Sequence, residues 1–393
     1  MPLSLKTWQK YEFPIYQAIM YVLRMYFCKM SKRIFIVAGE MSGDKHGALL
    51  MEQLQLLMPD CIIEGIGGPS MEARGLRSIV EFSQLNVSGF LEVLKSYPKL
   101  LSILRQAKQA ISNGEYDAFI AIDYPGFNMR LGAFAKSLNI HSICYIAPQL
   151  WAWGESRIEQ VQQAYDTVLT VLPFEEAFFA KHSVYAPFVG HPLMDRSYMK
   201  ESSQERDSSL ICLMPGSRMQ EIKHHLPILE PIANELISRS YEPVYCIPKH
   251  LHEVVQNSIN SKSQISHDTP KIMSIAKAGI VKMGTSTLES AMMNMPMISY
   301  YSTSWISYQI SRSKITLPWI ALPNILLGKT LIPEFIQKDA NPDKMLSGIL
   351  SLLSEQELHH QIKGFDEIRS MLGGPGASER AAHMIADILG LRK

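Results

Sequence analysis

Two short stretches combine glycine, hydroxyl and charged residues in a pattern suited to binding phosphate. Met214-Pro215-Gly216-Ser217-Arg218 closes an apolar run and opens a long helical stretch. Free N–H groups at a helix start, with a guanidinium fixed beside them, make an anion site suited to a pyrophosphate. Gly284-Thr285-Ser286-Thr287-Leu288-Glu289 repeats the arrangement at a later strand-to-helix junction. There the hydroxyls can contact phosphate, and Glu289, one turn into the helix, can accept bonds from ribose hydroxyls. Either motif alone reads as ordinary N-capping. Two in one region point to a diphosphate.

Acid–base candidates lie earlier in the chain. In IAIDYPGFN (120–128), Asp123 follows an apolar strand and precedes a proline that stops the strand from continuing. A carboxylate at such a strand end, partly desolvated, gains the raised pKa of a general base, although a lone loop aspartate is more often a turn residue. Ala38-Gly39-Glu40-Met41-Ser42-Gly43-Asp44 places Glu40, Ser42 and Asp44 at an equivalent junction, with capping of the helix as the simpler role for Ser42 and Asp44. This loop is neither G-x-G-x-x-G nor a Walker A. No D-x-D, H-E-x-x-H or G-x-S-x-G occurs, so metal and serine-hydrolase chemistry lack support. His224-His225 and His359-His360 are adjacent pairs that diverge on a helix and read as solvated. The five cysteines form no C-x-x-C and read as small buried hydrophobes or free thiols of a reducing compartment.

These residues need strand ends to hold them. From Arg33 onward, apolar runs alternate with turns and helical stretches, the signature of βα units in a mostly parallel sheet. Strands are expected at Arg33–Ala38, Cys61–Gly65, Ala118–Ile122, Ser142–Ala147 and Thr167–Leu172. After the polar linker 200–209 (KESSQERDSS) they resume at Leu210–Met214, Pro243–Ile247, Gly279–Met283 and Pro296–Tyr301. The fold class is α/β: two Rossmann-like domains with a ligand cleft between them, at 30–200 and 201–342, and a helical tail at 343–393 in which Ser378 N-caps the last helix. Residues 1–29 form an apolar, amphipathic extension with a local charge of +3, or else precede a true start at Met30. With 38 basic and 37 acidic residues the chain has a net charge of +1, which excludes a global attraction to nucleic acid. A charged fraction of 19% and 22 methionines suggest exposed apolar surface.

Taken in order, AGEMSGDKHGA (38–48), VSGFLEVL (87–94), IDYPGFN (122–128), APQLWAW (147–153), PFEEAFF (173–179), FVGHPLMD (188–195), MPGSR (214–218), GTSTLE (284–289) and LPNILLGKTLIPEFIQ (322–337) resemble the lipid-A-disaccharide synthase family. The resemblance implies a GT-B glycosyltransferase fold, with acceptor on the first domain and nucleotide-sugar on the second. It implies an inverting, metal-free transfer of 2,3-diacylglucosamine from UDP-2,3-diacylglucosamine to 2,3-diacylglucosamine 1-phosphate, forming a β-1,6 disaccharide and UDP, with no cofactor. A cytoplasmic, peripheral location on the inner membrane follows, and a homodimer is compatible with it. Asp123 is then the expected base, with Glu40 the second choice. Gly216, Ser217, Arg218, Gly284, Thr285, Ser286, Thr287, Glu289, Asn324 and Gln337 face the donor, and Ser42, Gly43, Asp44, Gln149 and Trp151 face the acceptor.

Two departures from the family pattern stand out. Gly126 replaces a second acid, and Met283 replaces a small residue, which would narrow the donor pocket. The segment Leu85–Leu104, with Lys95 and Lys99 among apolar residues, is a candidate membrane-docking surface whose alternative is a buried helix pair. Competing readings are a UDP-sugar epimerase of the same architecture and a catalytically silent lipid-binding protein.

Overall fold

A computed structural model of the chain describes residues 31–85, 90–201, 206–304, 308 and 317–390. The N-terminal extension and residues 202–205 of the linker lie outside these residues. So does much of the proposed docking surface, at 86–89 and in the side chains of 90–97.

Two six-stranded sheets carry the molecule. The first has the order β3-β2-β1-β4-β5-β6, built from β1 (Arg33–Ala38), β2 (Ile62–Ile66), β3 (Arg77–Ser78), β4 (Ala118–Ile122), β5 (His141–Tyr145) and β6 (Thr167–Leu169). The second has the order β12-β11-β10-β7-β8-β9, from β7 (Asp207–Met214), β8 (Glu242–Cys246), β9 (Gln264–Ser266), β10 (Ala276–Lys282), β11 (Met297–Tyr301) and β12 (Glu334–Ile336). Numbered from their own first strands, both sheets read 3-2-1-4-5-6, the order of a Rossmann-like unit. Every pairing between these strands is parallel. Burial on both faces explains why the central strands are unbroken apolar runs; all five residues of β4, AFIAI, are buried.

Helices of eight residues or more cover the sheets: α1 (Met41–Leu57), α2 (Phe90–Asn113), α3 (Pro125–Ser137), α4 (Met219–Ser238), α5 (Thr285–Met292), α6 (Pro342–Leu352), α7 (Glu355–Met371) and α8 (Ala377–Ile388). None among the described residues is long and apolar enough to cross a membrane.

The sequence pattern misjudges several boundaries. β7 begins at Asp207, inside the expected linker, because this polar first residue already pairs with Ala276 of β10. The edge strands β3, β9 and β12 are two or three residues long, too short to announce themselves. Ser378 does not cap α8; the cap position is Gly376. Asp195, from the connection between the two sheets, accepts the N–H groups of Gly376, Ala377 and Ser378 at 2.6, 3.0 and 2.7 Å. This distant carboxylate anchors α8 against α1 of the first half. One buried apolar cluster accordingly runs from Ile34 and Leu50 through Leu372 and Ile385 to Met292 and Met297. Many methionines, including Met273, Met292, Met293, Met295 and Met297, fill this core instead of an exposed surface.

Candidate active site

In each sheet, the point where strand order reverses lies between the first and fourth strands, and their outgoing loops diverge to leave a crevice. In the first sheet these loops carry Glu40 and Asp123. Asn128, fully buried on α3, donates its amide to the carbonyls of Asp123 (2.6 Å), Ile122 (3.3 Å) and Val37 (3.4 Å), tying together the ends of β1 and β4. Asp123 and Tyr124 take left-handed conformations, φ +48° and +53°, which turn the chain sharply from β4 into α3. The Tyr124 ring lies across Gly39; a Cβ on Gly39 would come within 2.3 Å of it. That close approach is why the loop has glycine at 39.

Asp123 Oδ1 accepts the Tyr124 N–H at 2.8 Å. Burial in this turn, helped by the nearby Glu40 charge, pushes its carboxyl up to about 6. The neighbouring loop after β5 is also strained, since the β-branched Ile146 has φ +70°.

In the second sheet, β7 feeds Pro215–Arg218 and β10 feeds Gly284–Thr287, so the two phosphate-suited motifs sit side by side at the reversal point. Neither α4 nor α5 has a side-chain cap at its N-cap residue. His225, expected to be solvated, is instead fully buried because α4 packs this face on the sheet. Its ring sits between Pro215, whose carbonyl is 2.6 Å from Nδ1, and Ser302, whose N–H donates to Nε2 at 3.4 Å, bracing the motif against the loop after β11.

The two crevices face each other. Arg218 Nη2 donates to Glu40 Oε2 at 3.0 Å, joining residues 178 positions apart. Met41 and Met219, the residues next to this pair, are 48% and 39% exposed and give the rim apolar contact surface.

The other expected site residues divide into two groups. Ser217 and Thr285 are exposed and Ser286 is half-buried on the turns after β7 and β10, while Thr287 is buried with its hydroxyl donated to the Gly284 carbonyl at 2.8 Å. Glu289 pairs with Arg196 at 2.7 Å and accepts from the Tyr198 hydroxyl. Gln337 Oε1 accepts the Thr303 N–H at 3.2 Å. Asn324 is fully buried, its amide bonded to the Ile332 carbonyl and Glu334 and its oxygen to the N–H groups of Leu331 and Ile332. In the first half Ser42 is half-buried and Gln149 exposed, whereas Gly43 is buried beside Ala38 and Ile122.

Asp44 is fully buried and accepts the N–H groups of Gly68 (2.8 Å), Ser70 (3.0 Å) and Met71 (3.0 Å), so its carboxylate caps a neighbouring turn. Trp151 Nε1 donates to the buried Glu175 at 3.0 Å, and Glu175 also accepts the Val171 and Leu172 N–H groups. Burial pushes Glu175 up to about 7. Met283 is buried, and Gly126 stands in open space. Asn128, Glu175, Arg196 and His225 escaped the sequence reading as site-shaping residues, although Asn128 and Glu175 lie inside the matching stretches IDYPGFN and PFEEAFF and Arg196 directly follows FVGHPLMD.

Comparison with known proteins decides the lineage. The family model of lipid-A-disaccharide synthetase matches residues 34–387. The lipid-A-disaccharide synthase of Anaeromyxobacter dehalogenans (strain 2CP-C) is 33% identical, covering 93% of this chain and 100% of the relative. The chain belongs to the lipid-A-disaccharide synthase family. The lipid-A-disaccharide synthase 2 of Legionella pneumophila (strain Philadelphia 1) is 34% identical, over 92% of this chain and 98% of its own. Among solved structures, the calicheamicin glycosyltransferase CalG4 matches with TM-score 0.60 at 14% identity, covering 92% of this chain and 98% of the other. A co-structure of S. aureus MnaA with UDP also gives TM-score 0.60 at 14% identity, covering 92% and 98%. Both neighbours share the two-domain fold. As a lipid-A-disaccharide synthase family member with GT-B architecture, the chain is a glycosyltransferase.

Proposed function

We propose that the chain transfers 2,3-diacylglucosamine from UDP-2,3-diacylglucosamine to the 6-hydroxyl of 2,3-diacylglucosamine 1-phosphate, yielding the β-1,6 disaccharide and UDP, at the inner-membrane surface. The observation that carries this reading is the convergence of Asp123, Glu40 and Arg218 where the two crevices meet. An α-linked donor giving a β product requires one in-line displacement, hence a base on the acceptor oxygen and charge stabilisation on the leaving diphosphate.

Asp123 is the base: with its carboxyl pushed up to about 6, it is largely ionised at neutral pH yet basic enough to accept a hydroxyl proton. Glu40 raises the basicity of Asp123 and orients Arg218 across the cleft. Arg218 and the starts of α4 and α5 receive the negative charge that develops on UDP. The half at 30–200 holds the acceptor and 201–342 the donor. The apolar rim at Met41 and Met219 suits sugars that carry acyl chains.

The test is UDP release with the donor alone, and again with the acylated 1-phosphate added. Release that requires both substrates, with a disaccharide product, is the expected result. A donor epimerised or hydrolysed without an acceptor would overturn the assignment.

A further inference from the structure

The donor end of the second sheet holds an ion pair that the mechanism above leaves without a role. Lys282, the last residue of β10, lies 2.7 Å from Glu221 on the first turn of α4. The two side chains are only 18% and 15% exposed, so neither charge is well solvated. The other Glu221 oxygen accepts the Ser217 N–H at 2.9 Å. It lies so tightly under the turn that a Cβ on Gly216, at φ +121°, would come 2.3 Å from it. Lys282 Nζ also lies 3.8 Å from where a Cβ on Gly284 would stand, and its ammonium is 5.8 Å from the Tyr301 ring centre. The ammonium thus lies beside the Gly284 turn and is linked through Glu221 to the Gly216 turn, the two turns to which the proposed function assigns the diphosphate.

This arrangement carries an electrostatic conflict. Burial alone would raise the Glu221 carboxyl, but Lys282, the Ser217 N–H and Arg218 outweigh it and hold the group below the usual carboxylate range. Glu221 is therefore an anion placed against a backbone amide that a diphosphate would approach. Arg218 is already opposed by Glu40. With Lys282 present, the four side chains sum to zero; without it, an incoming diphosphate meets a net negative site.

We infer that Lys282 is a positioning residue of the donor site, which neutralises Glu221 so that this carboxylate can brace the Pro215–Arg218 turn without repelling the diphosphate. The inference rests on UDP occupying these two turns.

The experiment is calorimetric titration of the full chain with UDP, at two salt concentrations, for the wild type, K282M, K282R, E221Q and K282M/E221Q. Expected are a loss of about tenfold or more in UDP affinity for K282M, near-wild-type affinity for K282R, and a gain of about threefold or more for E221Q. The double variant returns to within about threefold of wild type, an effect that a purely structural lysine would not show. Unchanged affinity in K282M overturns the inference. So does a double variant as weak as K282M, which would make Lys282 a direct diphosphate ligand, or an E221Q variant that binds more weakly. A wild type that does not bind UDP at all overturns the donor assignment itself, and this inference with it.

Discussion

Replacing Asp123 with asparagine tests the base assignment through two quantities that move in opposite directions. Asn keeps the oxygen that accepts the Tyr124 N–H at 2.8 Å, so the left-handed turn retains its bond. It removes the proton acceptor, and turnover falls by about two to four orders of magnitude while UDP affinity changes little. Stability rises. The carboxyl moves from an ordinary 3.8 to about 6 on folding, which at neutral pH corresponds to about 3 kcal/mol against the folded state.

The sign follows from proton uptake. Between those two values the folded chain binds the proton more tightly than the unfolded one, so the wild type loses stability as pH rises through this window. The variant does not titrate there. Its advantage is therefore up to about 3 kcal/mol at neutral pH, shrinks as pH falls through about 6 to 4 and vanishes below about pH 3. Chemical denaturation of both proteins across this range, alongside turnover at neutral pH, measures both effects. Near-normal turnover, or a stability difference that ignores pH, would refute the reasoning.

Four further outcomes are expected. The kcat/KM profile of the wild type falls about tenfold between about pH 7 and pH 5 as Asp123 is protonated, and Glu40→Gln moves that limb to lower pH by removing the second cause of the raised value; a profile flat to pH 5 contradicts the assignment. Gly39→Ala forces the Tyr124 ring off the loop, costing about 1–3 kcal/mol in thermal unfolding and lowering turnover more than UDP affinity. Asn128→Ala leaves three buried carbonyls short of a donor and destabilises the fold by about 2–4 kcal/mol, read from denaturant midpoints. Glu175→Ala strands the Trp151 indole N–H and two buried backbone N–H groups, so tryptophan fluorescence changes and acceptor KM rises; unaltered emission would show that Trp151 needs no such anchor.

Much of the architecture is legible in the primary structure because central parallel strands are buried on both faces. RIFIVA and AFIAI cannot be mistaken for solvent-facing alternation. Edge strands such as Gln264–Ser266 draw their stability from one neighbour only and need no apolar run. The cap of α8 was misread for a different reason: Ser378 is the local candidate, but Asp195, 181 or more residues away, supplies the oxygens. His225 likewise looks solvated beside His224 until the packed face of α4 is known.

The sequence by itself determined the chemistry on offer: a strand-end aspartate, two glycine-led helix starts and an arginine, in an order that marks the family. It could do so because turns and helix starts depend on neighbouring residues. Only the tertiary structure decided which of these groups meet. Glu40 and Arg218 belong to different sheets, and their 3.0 Å contact exists because the connection at Asp195 and the returning α8 lock the two halves face to face. The state of each carboxylate is likewise a property of the fold. Asp44, Asp123, Glu175 and Glu221 are the same kind of group in sequence, yet burial, backbone donors and one lysine make the first a cap, push the second and third up and hold the fourth down.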